Sequence, residues 1–239
     1  MRIVDCRGCM VRERVGVTCD LPVEALGSLR DTGSFLLYKP RQVIFSEGGP
    51  CAALYLVCRG TVKLYCSDRF GREHIVDVAG PGSILGELPL DSDQPLSVSA
   101  EAIAETQLCV LGRERLAALT RKEPSIGLRL LEALSSELAA ARRKVRDLAL
   151  KSAESRLAGL LIELAGHASD GTLEQQISVP YTRRELAEMI GVSTETAIRL
   201  ISSLKDKRII EASGRQIVIT DPESLSRIAS HESIHPPEA

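Results

Sequence analysis

The chain has 239 residues, 44% hydrophobic and 26% charged, with a formal net charge of −2. That length suits two modest cores, and the composition excludes a fibrous or disordered polypeptide. No run of eighteen uncharged apolar residues occurs, and the N-terminus MRIVDCRGCMVRERV carries charges where a secretory leader needs an apolar stretch. A cytoplasmic chain without a membrane span is expected. From Lys151 onward 10 basic residues stand against 13 acidic ones, so bulk charge does not announce a nucleic-acid partner. Seven cysteines in such a chain argue against a disulfide framework and leave metal binding, redox chemistry or plain packing open.

Residues 1–20 show no helical or strand period and hold Cys6, Cys9 and Cys19, which reads as a ligand-bearing arm. A short helix follows, with Pro22 just inside its start and Val23, Leu26 and Leu29 on one face. Between Phe35 and Leu111 come short apolar or alternating runs: Val43–Phe45, Ala53–Cys58, Thr61–Cys66, His74–Val78 and Gln107–Leu111. Turn glycines at 48, 49, 60, 71, 80, 82 and 86 separate them, which argues an antiparallel, jelly-roll-like β-roll over 21–123 rather than βαβ units. A helix is expected near Arg113 to Thr120.

The stretch 124–151 places Leu131, Leu134, Leu138, Ala141, Val145 and Leu148 at alternating steps of three and four, the spacing of a coiled-coil seam. In that register a parallel partner would set Glu137 opposite its Arg142, so a homodimer is expected. A break near Ser152 opens a second domain, 152–230, with an apolar period at Leu157, Leu160, Leu161 and Leu164 and then a polar loop from His167 to Gln176. Tyr181 to Leu204 reads as two helices. Thr182 and Glu185 form a capping box, Gly191 ends the first helix and Ser193 caps the second. This is helix-turn-helix spacing, in which the second helix enters the DNA major groove and offers Thr194, Glu195, Ile198 and Arg199. A hairpin through Ser213 and Gly214 makes a wing, Asp221-Pro222 opens a last helix, and 231–239 is expected to be a disordered tail. The fold class is α+β. No phosphate-cradling glycine loop and no nucleophile–His–acid set suggests an enzyme.

Leu54-Tyr55, Arg59-Gly60-Thr61-Val62-Lys63-Leu64, Ala153-Glu154-Ser155-Arg156-Leu157-Ala158 and Val192-Ser193-Thr194-Glu195-Thr196 resemble the CRP/FNR superfamily of bacterial transcription regulators. The resemblance covers nearly the whole chain. It implies a roll of the cyclic-nucleotide-binding type, a long dimerisation helix, a winged helix-turn-helix, and RNA polymerase as a partner met by loops of the roll such as 84–90. Family members that bind cyclic AMP use a Gly-Glu-Leu turn, here Gly86-Glu87-Leu88, and an arginine at the phosphate. Leu96 stands at the arginine's place, and a buried phosphate without a guanidinium is costly.

In the FNR branch three arm cysteines and one in the last roll strand hold an oxygen-labile [4Fe–4S] cluster. Cys6, Cys9, Cys19 and Cys109 match by position, although nine residues between Cys9 and Cys19 make the loop longer than in the best-known members. The resemblance thus implies control by oxygen or nitric oxide. The alternative is control by a cyclic nucleotide or other small ligand in the roll, with the cysteines binding zinc, acting as a thiol switch or only packing. It also implies that Glu195 and Arg199 read a TTGA-like half-site of a palindrome, with Ile198 against a thymine methyl. Arg183, Arg184, Lys205 and Arg215 are expected at phosphates.

Overall fold

The computed structural model describes residues 22–87, 94–168, 176–177, 181–214 and 216–230. The arm with Cys6, Cys9 and Cys19, the residue Arg215 and the tail 231–239 lie outside the described residues. The chain divides into two compact units, residues 1–139 and 140–239, with the division inside the long helix.

In the first unit the glycine-punctuated runs pair as two four-stranded antiparallel sheets. One has the order β1 (Ser34–Tyr38), β8 (Thr106–Gly112), β3 (Ala53–Arg59), β6 (Ile84–Leu85); the other has β2 (Val43–Phe45), β7 (Ser99–Ala102), β4 (Val62–Ser67), β5 (Glu73–Ala79). Alternation along β8 sends Leu108 and Val110 between the sheets, with Phe45, Val57, Val62, Leu85 and Ala100. Cys109 and Leu111 face the other way, into a second core with α1 (Val23–Thr32), α2 (Arg113–Lys122) and the start of α3 (Pro124–Leu150). One sheet therefore serves two cores, and β8 is buried on both faces, which is why it reads as a continuous apolar run.

The sequence reading missed β1, β6 and β7. Two-residue β6 is too short to show a period, and β1 has no clean alternation, with Leu36 44% and Leu37 52% exposed. Pro22 is the N-cap of α1 rather than its first helical residue, with ψ at 150° in the extended region, so the helix begins at Val23.

The second unit holds the end of α3, α4 (Ala153–Ala168), β9 (Gln176–Ile177), α5 (Arg183–Ile190), α6 (Thr194–Asp206), the hairpin β10 (Ile210–Ser213) and β11 (Gln216–Ile219), and α7 (Pro222–Ser230). Its core is made by Leu157, Leu161, Leu186, Ala197, Leu204, Ile210, Ile217 and Leu225, each buried. β9 adds a third strand to the wing hairpin on the β11 side, an element the polar loop concealed in the sequence. Asp221 accepts the Ser224 N–H at 3.0 Å and caps α7 behind Pro222.

Candidate DNA interface and effector site

The helix-turn-helix is locked by its caps. Thr182 Oγ1 accepts the Glu185 N–H at 3.2 Å, and Glu185 Oε2 accepts the Thr182 N–H at 2.6 Å, completing the capping box. Gly191 ends α5 at φ 68°, where a side chain would cost roughly 1 kcal/mol or more, and Ser193 Oγ accepts the Thr196 N–H at 3.2 Å to start α6. Helical spacing then divides α6 into two faces. Ala197, Ile201 and Leu204 are buried, while Thr194, Glu195, Ile198 and Arg199 are exposed on the other side. Glu195 and Arg199 make no hydrogen bond or ion pair among the described residues. Ile198 is 49% exposed between them.

The flanking cations differ from one another. Arg183 has one guanidinium nitrogen, Nη1, buried with no partner among the described residues, and burial draws its pKa down. Arg184 donates to Glu188 at 2.7 Å within α5. Lys205 is exposed on α6, and Lys207 bonds Glu154 of α4 at 2.7 Å. On α3, Leu131, Leu134, Leu138, Val145 and Leu148 are between 49% and 67% exposed, and Ala141 is exposed with them, so the described residues leave about half or more of each side chain in the stripe open. Glu137 accepts the Ile84 N–H near Asp77; desolvation and then Asp77 push its carboxyl up, the Ile84 bond opposing them.

At the roll's ligand turn, Glu87 is engaged by the chain itself. The Ser97 N–H donates to Glu87 Oε2 at 3.0 Å, and the Ser97 hydroxyl donates to Oε1. Leu96, 5% exposed, sits in the core between the sheets, its backbone strapped to the Gly48–Gly49 turn by bonds of 2.8 and 2.9 Å. The Cys51 thiol lies beside Glu87 and is pushed up by burial, a hydrogen bond with Glu87 partly opposing this. Sequence reasoning singled out Glu87 and Leu96 but not the Ser97 latch, which only the backbone path reveals. Of the roll stretch 84–90 expected to meet RNA polymerase, Ile84 and Leu85 are buried at 6% and 1% and Glu87 is exposed; residues 88–90 lie outside the described residues.

Cys109 is 0% exposed, and a Cβ at Gly33, just past α1, would run into its sulfur. As placed, it is a core residue rather than an offered ligand. Among the described residues no group of three His, Cys, Asp or Glu side chains is poised for a metal. Cys51 and Cys58 are buried and Cys66 is half-buried, in keeping with packing roles.

A β-roll, a long helix with an uncovered apolar stripe and a winged helix-turn-helix together define a DNA-binding transcription regulator rather than an enzyme. The chain matches the cyclic nucleotide-binding domain over residues 35–123 and the Crp-like helix-turn-helix domain over 155–228. It is 30% identical to the cyclic AMP receptor protein of Thermus thermophilus over 81% of this chain and 87% of that protein. With a CRP-like cAMP-activated global transcriptional regulator of Mycobacterium tuberculosis it shares 27% identity over 90% and 97% of the two chains. The solved structure of FixK2 from Bradyrhizobium japonicum superposes with a TM-score of 0.73 at 25% identity, covering 83% of this chain and 98% of that one.

The chain belongs to the CRP/FNR family of transcription regulators, whose members bind DNA and form dimers. Among the described residues no helix is long and apolar enough to cross a membrane.

Proposed function

We propose that the chain works in the cytoplasm as a homodimer that reads palindromic DNA with TTGA-like half-sites and is controlled by a small ligand bound in its β-roll. The domain division is that of the sequence: arm 1–20, roll 21–123, dimerisation helix 124–151, DNA-binding domain 152–230. RNA polymerase is the partner that follows from a role in transcription. The observation that carries the DNA reading is the exposed face of α6. Arg199 supplies a bidentate donor pair for guanine O6 and N7, Glu195 an acceptor for a cytosine amino group, and Ile198 an apolar contact for a thymine methyl. Arg183 and Arg184 flank this face as candidates for phosphates, and Arg184 must first leave Glu188.

Control through the roll is supported by the cAMP-activated relatives. The chemistry of the site narrows the ligand. Glu87 and Ser97 offer an acceptor and a hydroxyl to each other, and Leu96 offers no charge to a phosphate. A ligand therefore enters by replacing Ser97 on Glu87 through its own hydroxyl or amino groups, and cyclic AMP binds more weakly than in members with the arginine. Calorimetric titration with cyclic AMP and cyclic GMP, with operator binding followed by anisotropy, tests this. Weak or absent binding of both supports a different ligand; tight binding that sharpens DNA affinity refutes the role given to Leu96.

A second reading keeps a [4Fe–4S] cluster on Cys6, Cys9, Cys19 and Cys109, and one observation favours it: Cys109 faces α1, the helix into which the cysteine-bearing arm leads. The described geometry does not fit this group, because the Cys109 sulfur is enclosed beneath Gly33 and α1 would have to lift off the roll. Anaerobically purified protein with about four irons per chain, lost in Cys109→Ala, establishes this reading. One zinc per chain points to the arm cysteines as a zinc site.

A further inference from the structure

The stretch Ala153-Glu154-Ser155-Arg156-Leu157-Ala158 follows the long helix. Leu157 and Ala158 are fully buried core residues. Arg156 is different: it is half-buried, and its guanidinium reaches two separate pieces of backbone. Nε donates to the Ile190 carbonyl at 3.0 Å, and Nη1 donates to the Lys151 carbonyl at 2.8 Å. Ile190 is the last residue of α5, immediately before the Gly191 turn, and Lys151 is the first residue past α3. Carbonyls at helix C-termini have no donor within their helix and carry the negative end of its dipole, so a cation between two such ends is doubly favoured.

The surroundings brace the same junction. Lys151 is held back to α3 by Asp147, Nζ to Oδ2 at 2.8 Å, and Ser152 Oγ accepts the Ser155 N–H at 3.1 Å to start α4. A Cβ built on Gly191 would lie 3.5 Å from Leu148 Cδ2, so the end of the apolar stripe of α3 packs beside the turn. From that turn α6 begins after only Val192 and Ser193. A guanidinium is a planar fork with fixed angles between its donors, so two carbonyls held at once are fixed in both separation and direction.

We propose that Arg156 is a positioning residue that fixes the angle between the C-terminal part of the dimerisation helix and the recognition helix, and thereby sets the half-site separation a dimer accepts. It touches no DNA and acts through Ile190, Gly191 and Lys151. The inference rests on the dimer reading above.

The test uses full-length protein, Arg156→Lys and Arg156→Gln. Lysine keeps the charge on one ammonium but loses the rigid fork; glutamine also removes the charge. Three duplexes serve: the palindrome that the wild-type protein selects from a randomised pool, the same palindrome with one base pair inserted at its centre, and one with a single half-site intact. Both variants are expected to bind the single half-site as the wild type does and the selected palindrome about tenfold more weakly, a loss of the size of one charge-assisted hydrogen bond. They also lose the preference for the original separation over the expanded one. Unchanged palindrome affinity and separation preference in Arg156→Lys overturns the proposal. So does an equal loss on palindrome and single half-site, with or without a lowered melting temperature, because that is what damage to the fold alone produces. A wild-type protein that selects no two-fold site refutes the dimer reading instead.

Discussion

In the C-terminal unit Glu195, Ile198 and Arg199 stand exposed on α6, with neither charge paired among the described residues, while in the roll the corresponding polar group, Glu87, is closed onto Ser97 and the cysteine of interest is enclosed in the core. Both regions belong to a protein that binds something, yet they show it differently. A duplex arrives from solvent and is too large to be enclosed, so the residues that read it must wait in the open, positioned by caps and a packed opposite face. In the roll the group expected to meet a small ligand is instead paired within the chain. Glu87 and Ser97 are both exposed and hydrogen-bond each other, so a ligand has to compete with Ser97 for the carboxylate. The difference is therefore one of pairing: the charges on α6 are unpaired among the described residues, whereas the exposed carboxylate of the roll is held by its own chain.

The strongest way to break this comparison is to attack the stripe that joins two copies. Leu138→Glu places two like charges face to face across a dimer seam, and each unpaired buried carboxylate costs several kcal/mol. Sedimentation at micromolar concentration should show monomer, with palindrome affinity reduced on the order of a thousandfold. Next in size, Arg199→Ala should cost about 1–3 kcal/mol and flatten the preference at one base pair of each half-site, read by binding to a panel of single-base variants. Ile198→Ser sharpens the point: replacing thymine by uracil in the half-site should weaken the wild type by about 0.8 kcal/mol per lost methyl and leave the variant indifferent. Glu87→Gln should leave ligand-free DNA binding unchanged, and it should remove the response to whatever ligand enters the roll.

The smallest effect lies in the fold of the reading unit. Tyr181 is 6% exposed, and burial, with Glu185 adding to it, pushes its phenol from 10.0 up to about 12. The folded state thus resists ionisation that the unfolded chain accepts. The stabilisation is complete below about pH 10 and is lost as pH rises from there towards 12. Thermal melts of the wild type and Tyr181→Phe across that range should show the extra decline only in the wild type.

Much of the reading half was legible in the sequence because its signals are local. Thr182 with Glu185, Gly191 and Ser193 specify two helices and a turn within twelve residues, and the period of Ala197, Ile201 and Leu204 then says which face of α6 stays outside. The roll was legible only as a class. Its short β6, its edge strand β1 and the latch from Ser97 to Glu87 depend on pairings between residues far apart in sequence, which no local pattern encodes. Cys109 shows the same limit from the other side. A sulfur in the last strand reads identically whether it faces a ligand site or, as here, the packed underside of α1. Arg156 was visible as part of a motif, but its two carbonyl partners, 34 and 5 residues away, were not.

The central claim is that the exposed face of α6, presented twice by a symmetric pair, reads DNA. Selection of duplexes from a randomised pool by the full-length protein tests it most directly. Enrichment of a palindrome with TTGA-like halves about one helical turn apart is the predicted result, with Arg199→Ala relaxing one position in each half. Enrichment of a single asymmetric site, or a selected sequence unchanged by Arg199→Ala, would contradict it.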